Sequence, residues 1–111
     1  MIDLNELCTK TLENAKKRQT NGGHIKADTR SLLKHCSTEV VEAMEAFTEW
    51  KNYDGLEGPE EELKKHFSSE LADIICCVLI ISGKENIDIE KAVFDCVEKN
   101  RKRAEGIGDK L

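Results

Sequence analysis

The chain is 111 residues long, which is room for one ordinary domain with a modest core and not for a catalytic domain plus a regulatory one, so residues 1–111 are read as a single domain. Charged residues make up 35% against 39% apolar and only 5% aromatic, a balance that favours long amphipathic helices over a sheet. A formal net charge of −5 and a pI near 5.2 argue against a nucleic-acid binder, which carries a basic field.

The first predicted helix carries Ile2, Leu4, Leu7, Cys8, Thr11, Leu12 and Ala15 at three- and four-residue spacings and stops at Gly22-Gly23. After a linker, Gly22 to Ala27, Asp28 is the expected N-cap of a second helix bearing Leu32, Leu33, Cys36, Val40, Ala43, Met44, Phe47 and Trp50, which ends at the Asn52-Tyr53-Asp54-Gly55 turn signal. Gly58-Pro59 and the acidic triplet Glu60-Glu61-Glu62 start a third helix that runs to about Ser82-Gly83. Asp88 caps a fourth, through Ile89, Val93, Cys96 and Val97, which frays after Ala104 into Gly106-Ile107-Gly108. No segment alternates at period two, so the expected class is all-α with four helices.

The longest uninterrupted apolar run, Ile74 to Ile81, falls short of the roughly 20 residues that span a bilayer, so no membrane crossing is expected. The N-terminus lacks a basic start and an apolar stretch, which makes a cytoplasmic location the expectation. Cys8, Cys36, Cys76, Cys77 and Cys96 fall in apolar helical patterns without CxxC spacing and read as small buried hydrophobes rather than zinc ligands or disulfides. Because Ile74 to Ile81 is apolar around the whole circumference, the third helix is expected to be buried on every side. A bundle this short can barely enclose it, so a second subunit is expected to cover part of it.

Four carboxylates interrupt the apolar faces. On a helical wheel that starts from Leu32, the apolar arc of the second helix runs to roughly 120°, with Ala46 at roughly 320°, while Glu39 falls inside it at roughly 340° and Glu42 at its edge at roughly 280°. On the third helix, with the wheel started from Leu63, Glu70 falls at roughly 340° and Asp73 at roughly 280°, matching the first pair. A buried carboxylate costs several kcal/mol or takes up a proton, so two facing pairs require lysines, a metal or shared protons. The arcs offer no cation except Lys64, His35 and His66 at their margins, and a divalent cation is the economical solution. Oxygen ligands favour Mg²⁺ or Mn²⁺ over zinc. A ferritin-like di-iron centre would need Glu-x-x-His on two helices, whereas His24, His35 and His66 follow Asn21, Leu32 and Leu63 at that spacing. On the fourth helix Asn100 and Arg103 continue the apolar stripe with Lys99 at its edge, a set suited either to clamping phosphates or to complementing the helix dipole.

Glu39-Val-Val-Glu42 followed further along the chain by Glu70-Leu-Ala-Asp73 resembles the ExxE…ExxD signature of the MazG-like all-α nucleoside triphosphate pyrophosphohydrolases. Leu32 to Phe47 is similar to that family's metal helix and Lys99 to Arg103 to its C-terminal K/N/R segment, although Thr38 stands where family members often carry a further glutamate. The resemblance implies a four-helix module, a homodimer or homotetramer, that hydrolyses a nucleoside triphosphate to the monophosphate and pyrophosphate. It implies Mg²⁺ on Glu39, Glu42, Glu70 and Asp73, with Glu39 or Glu42 accepting the proton of the attacking water, and phosphates or sugar held by Lys99, Asn100 and Arg103. Trp50 and Phe47 are available to stack on a base, or belong to the core. Two alternatives remain: a relative acting on phosphoribosyl-ATP or deoxycytidine nucleotides, and a non-catalytic metal-binding interaction module.

Overall fold

The computed structural model describes residues 3–20, 28–55 and 60–106. These form four α-helices, α1 (Leu4–Thr20), α2 (Thr29–Lys51), α3 (Glu60–Lys84) and α4 (Ile89–Ala104), with no strand among the described residues. Ile2, Gly22-Gly23, Gly58-Pro59 and Ile107-Gly108 lie outside them. Both expected N-caps are formed. The Asp28 carboxylate accepts the Ser31 N–H at 2.8 Å, and Asp88 accepts that of Lys91 at 3.1 Å, each satisfying a donor the first helical turn leaves open. Gly55 (φ +82°) and Gly106 (φ +76°) turn the chain out of α2 and α4 in the left-handed region, where a side chain would be strained.

α2 and α3 form an antiparallel hairpin. At one end the Phe47 and Phe67 rings lie 5.3 Å apart, and at the other the Cys77 thiol donates to the Leu32 carbonyl at 3.4 Å. The seam is lined by small residues, with Ala43, Ala46 and Cys77 buried beside Leu32, so the backbones approach closely. α1 covers the C-terminal half of α3, where the Cys8 thiol donates to the Leu79 carbonyl at 3.1 Å. A Cβ at Gly83 would stand 3.1 Å from both Cys8 Sγ and Leu12 Cδ2, so glycine there sets how near α1 can come. The core proper is Ala15, Leu32 and Ile80, with Leu12 and Ile81 packed against it.

Among the described residues, and apart from marginal contact, α4 packs only on α1, and polar ties at the two N-termini hold it there. Asn5 Nδ2 donates to Asp88 Oδ1 at 3.0 Å, the Glu90 N–H donates to Asn5 Oδ1 at 3.3 Å, and the Leu4 N–H donates to Glu90 Oε1 at 3.4 Å. The radius of gyration, 17.4 Å, exceeds the roughly 13 Å of a closed domain near this length.

This openness falls on the third helix, part of which was expected to be covered by a second subunit. α3 is enclosed by α1 and α2 on two sides only, and Leu71, Ile75 and Val78 on its remaining apolar side are 44%, 57% and 40% exposed. The apolar arc of α2 is likewise covered only between Ala46 and Cys36, so Met44 stands 63% exposed. Cys8 and Cys77 are buried as expected and Cys36 half so, but Cys76 and Cys96 are exposed, and all five are free thiols. By length and overall composition α3 would also suffice to cross a bilayer, which a count of uninterrupted apolar positions overlooked.

The N-terminal ties generate a pH-dependent expectation. The Asn5 amide and then the Lys91 N–H hold the Asp88 carboxyl below the ordinary aspartate value of 3.8. A depressed folded value stabilises fully above the unfolded one and is lost as pH falls through the folded one. Protection of the α4 amides, relative to their intrinsic exchange rates, should therefore fall on acidification below that value, and Asn5→Ala, which removes two exposed hydrogen bonds, should lower it modestly already at neutral pH. Unchanged α4 protection in Asn5→Ala would contradict this anchoring.

Candidate metal centre

The wheel positions of Glu39 and Glu70 have physical content in the hairpin. The covered stripe of α2 centres on Glu39, between the buried Ala43 and Ala46, and that of α3 passes through Glu70 beside buried Cys77. Both glutamates therefore point into the seam, with side chains only 12% and 16% exposed. Antiparallel register, set by Phe47 against Phe67 and Leu32 against Cys77, brings Glu39 level with Asp73 and Glu42 level with Glu70.

One carboxylate oxygen from each of Glu39, Glu70 and Asp73 lies within 4.8 Å of the others. Glu42 is exposed and is not among the converging oxygens, although its charge acts on Glu39. Burial pushes the Glu39 carboxyl above the ordinary glutamate range; the charges of Glu42, Asp73 and Glu70 push it further, and only His35 opposes them.

The oxygens of the two buried glutamates divide their partners. Glu39 Oε1 lies 2.9 Å from His35 Nε2 and Glu70 Oε1 lies 3.2 Å from His66 Nε2. Glu39 Oε2 and Glu70 Oε2 are both buried without a hydrogen-bond partner. A buried acceptor left unsatisfied costs roughly 1–3 kcal/mol, and more when charged. Two such atoms in a three-carboxylate cluster fit a hard divalent cation, which satisfies both lone pairs and charge. The adjacent thiols do not fit that role: burial and a hydrogen bond with Cys36 push the Cys77 thiol up to about 12, so it carries no thiolate at neutral pH.

The structure does not bring the basic segment to this cluster within one chain. Lys99 and Asn100 are exposed, with Asn100 Nδ2 3.9 Å from Cys96 Sγ. Arg103 is half-buried and its Nε lacks a partner. Trp50 packs with Phe47 and Phe67, at 6.2 Å and 6.0 Å between ring centroids, its indole N–H donating to Glu60 Oε1 at 3.1 Å. Lys51 Nζ sits 3.9 Å over its ring. His24 and Asn21 lie outside the described residues. Sequence reasoning left His35 and His66 at the margin; the signal was present, since each stands four residues before an inward glutamate.

The family model of the MazG nucleotide pyrophosphohydrolase domain matches residues 27–107, which contain both acid pairs and the basic segment. No curated protein and no solved structure matches the chain.

The cluster's electrostatics are testable without any substrate. Glu39→Gln removes a buried charge repelled by three neighbours, so the metal-free variant should melt a few degrees above the parent chain. Mg²⁺ or Mn²⁺ should raise the melting temperature of the parent, as any ligand of the folded state does, and leave that of Glu39→Gln where it was. Equal stabilisation of both proteins by the cation would remove Glu39 from the site.

Proposed function

The chain belongs to the MazG nucleotide pyrophosphohydrolase domain family, and from that premise we propose that it is a Mg²⁺-dependent hydrolase converting a nucleoside triphosphate to the monophosphate and pyrophosphate. The single observation that carries the reading is that Glu39 and Glu70 each bury an oxygen without a hydrogen-bond partner in a cluster where one carboxylate oxygen of each lies within 4.8 Å of one from Asp73. Mn²⁺ suits the same donors. When bound, the cation supplies charge neutralisation and Lewis acidity at the phosphate chain.

The protein's own groups then divide the work. Glu39, Glu70 and Asp73 hold the cation. Glu42 stands beside them, exposed and outside the converging set, and is the carboxylate left to accept a proton from the water that attacks the α-phosphorus. The bond between the α-phosphorus and its bridging oxygen breaks, and pyrophosphate leaves. Trp50, with Phe47 and Phe67, flanks the seam past Glu42 and offers an aromatic surface for the base.

Phosphate contacts require Lys99, Asn100 and Arg103, which α4 holds away from the seam of its own chain. A homodimer or homotetramer supplies the remedy. Leu71, Ile75 and Val78 of α3 and Val40 and Met44 of α2 are exposed on the same side of the hairpin, and the apolar stripe of α4 is open as well, with Val97 58% exposed. Burying such surface is worth about 25 cal/mol per Å², and a second copy seated there both covers it and brings a basic helix to each acidic seam.

Turnover of a panel of ordinary and modified nucleoside triphosphates, followed by pyrophosphate release with and without Mg²⁺, tests the activity and separates the general hydrolase from the phosphoribosyl-ATP and deoxycytidine-nucleotide alternatives. Glu42→Gln should lower kcat by about 10²- to 10⁴-fold, the span of general-base effects, with cation affinity near that of the parent. Full turnover by Glu42→Gln would reassign the base. No release from any nucleotide, with Mg²⁺ still raising the melting temperature, would favour the non-catalytic binding module. Sedimentation at micromolar concentration should show a dimer or tetramer, and a monomer would contradict the assembled site.

A further inference from the structure

We propose that His35 and His66 are positioning residues that fix the two buried glutamates for the cation, an inference that rests on the metal reading above. Each helix carries the same pattern, a histidine, three residues, a glutamate, two residues and a second acid: His35, Glu39 and Glu42 on α2, and His66, Glu70 and Asp73 on α3. Because the helices run antiparallel, the two His–Glu pairs are related by a local two-fold axis across the seam. Glu39 and Glu70 meet near its centre, joined by Asp73 but not by Glu42, so the symmetry holds for the two His–Glu pairs and not for the second acids. A repeat in both spacing and geometry distinguishes these contacts from two chance surface pairs.

The division of oxygens is the same on both sides. Nε2 lies 2.9 Å from Oε1 of Glu39 and 3.2 Å from Oε1 of Glu70, and in each case the other oxygen is the buried, unpartnered one. A glutamate held by its backbone alone has three free torsions, and three carboxylates within 4.8 Å repel one another towards solvent. An N–H donated to Oε1 fixes the carboxylate plane, opposes that swing and leaves Oε2 to face the cation. The imidazoles are 60% and 53% exposed and stand a helical turn outside the acids, so they act through the glutamates rather than as ligands. Exposed pairs of this kind contribute little to global stability. Groups that orient metal-binding side chains, by contrast, commonly control affinity by about 10- to 100-fold. Loss of cation affinity without loss of stability is therefore the signature of this role.

Mn²⁺ binding to the full chain, measured by electron paramagnetic resonance on the parent, His35→Ala, His66→Ala and the two corresponding glutamine variants, tests it. Each alanine variant should bind Mn²⁺ about 10- to 100-fold more weakly with a nearly unchanged metal-free melting temperature. Glutamine, which can donate an N–H across the same four-residue spacing, should restore most of the affinity. Parent-like affinity in both alanine variants would overturn the proposal, as would glutamine variants no better than alanine. Strong ¹⁴N coupling to Mn²⁺ in the parent would also overturn it, by making an imidazole a direct ligand. A parent chain that binds no Mn²⁺ would fail at the metal reading itself and take the positioning role with it, an outcome distinct from the others because it appears before any substitution.

Discussion

Three carboxylates drawn to one point between two helices form a repulsive arrangement that α2 and α3 alone do not resolve. Glu39 and Glu70 are too enclosed for water to screen them fully, and each presents a buried oxygen with no donor. The burial and like charge that raise the Glu39 carboxyl measure the same conflict. An apolar isostere at either position would pack with less cost, because a buried charge without its partner is among the most destabilising arrangements a core can hold. A divalent cation would make the arrangement favourable, and the proposed chemistry rests on that exchange.

The rest of the fold serves this seam. Ala43 and Ala46 on α2 and Cys77 on α3 are small enough to let the helices approach until the glutamates meet, while the Phe47, Trp50 and Phe67 cluster closes one end. α1 fastens the other end through Gly83 and Cys8. What remains, among the described residues, is an apolar side of the hairpin with Leu71, Ile75 and Val78 exposed and a basic helix tied to α1 at its N-terminus. The proposed assembly, in which one chain's α4 would serve another chain's seam, would account for both features.

Much of this was legible in the sequence. Asp28 and Asp88 marked their helix starts because capping is a local interaction, and Glu39 and Glu70 stood out because a charge at the centre of an apolar stripe is visible on a wheel. Three things were not legible. A wheel says which residues share a face but not which part of that face the same chain covers, so the exposure of Ile75 could not be placed from the sequence. It also places Glu42 and Asp73 at the same angle, yet of the two Asp73 offers the oxygen that joins the cluster. Finally, the histidines lack the spacing of di-iron ligands, whereas their spacing to Glu39 and Glu70 is that of a neighbouring turn on the same helix, a relation that metal-ligand motifs do not contain.

Everything proposed for the chain turns on a cation between α2 and α3. Crystals grown with Mn²⁺, with anomalous differences measured at its absorption edge, test it most directly. The account predicts a peak within about 2.0–2.6 Å of Glu39 Oε2, Glu70 Oε2 and an oxygen of Asp73, the bonding range for hard cations on oxygen. Those three carboxylates turned outward into solvent, with no peak between them, would contradict it.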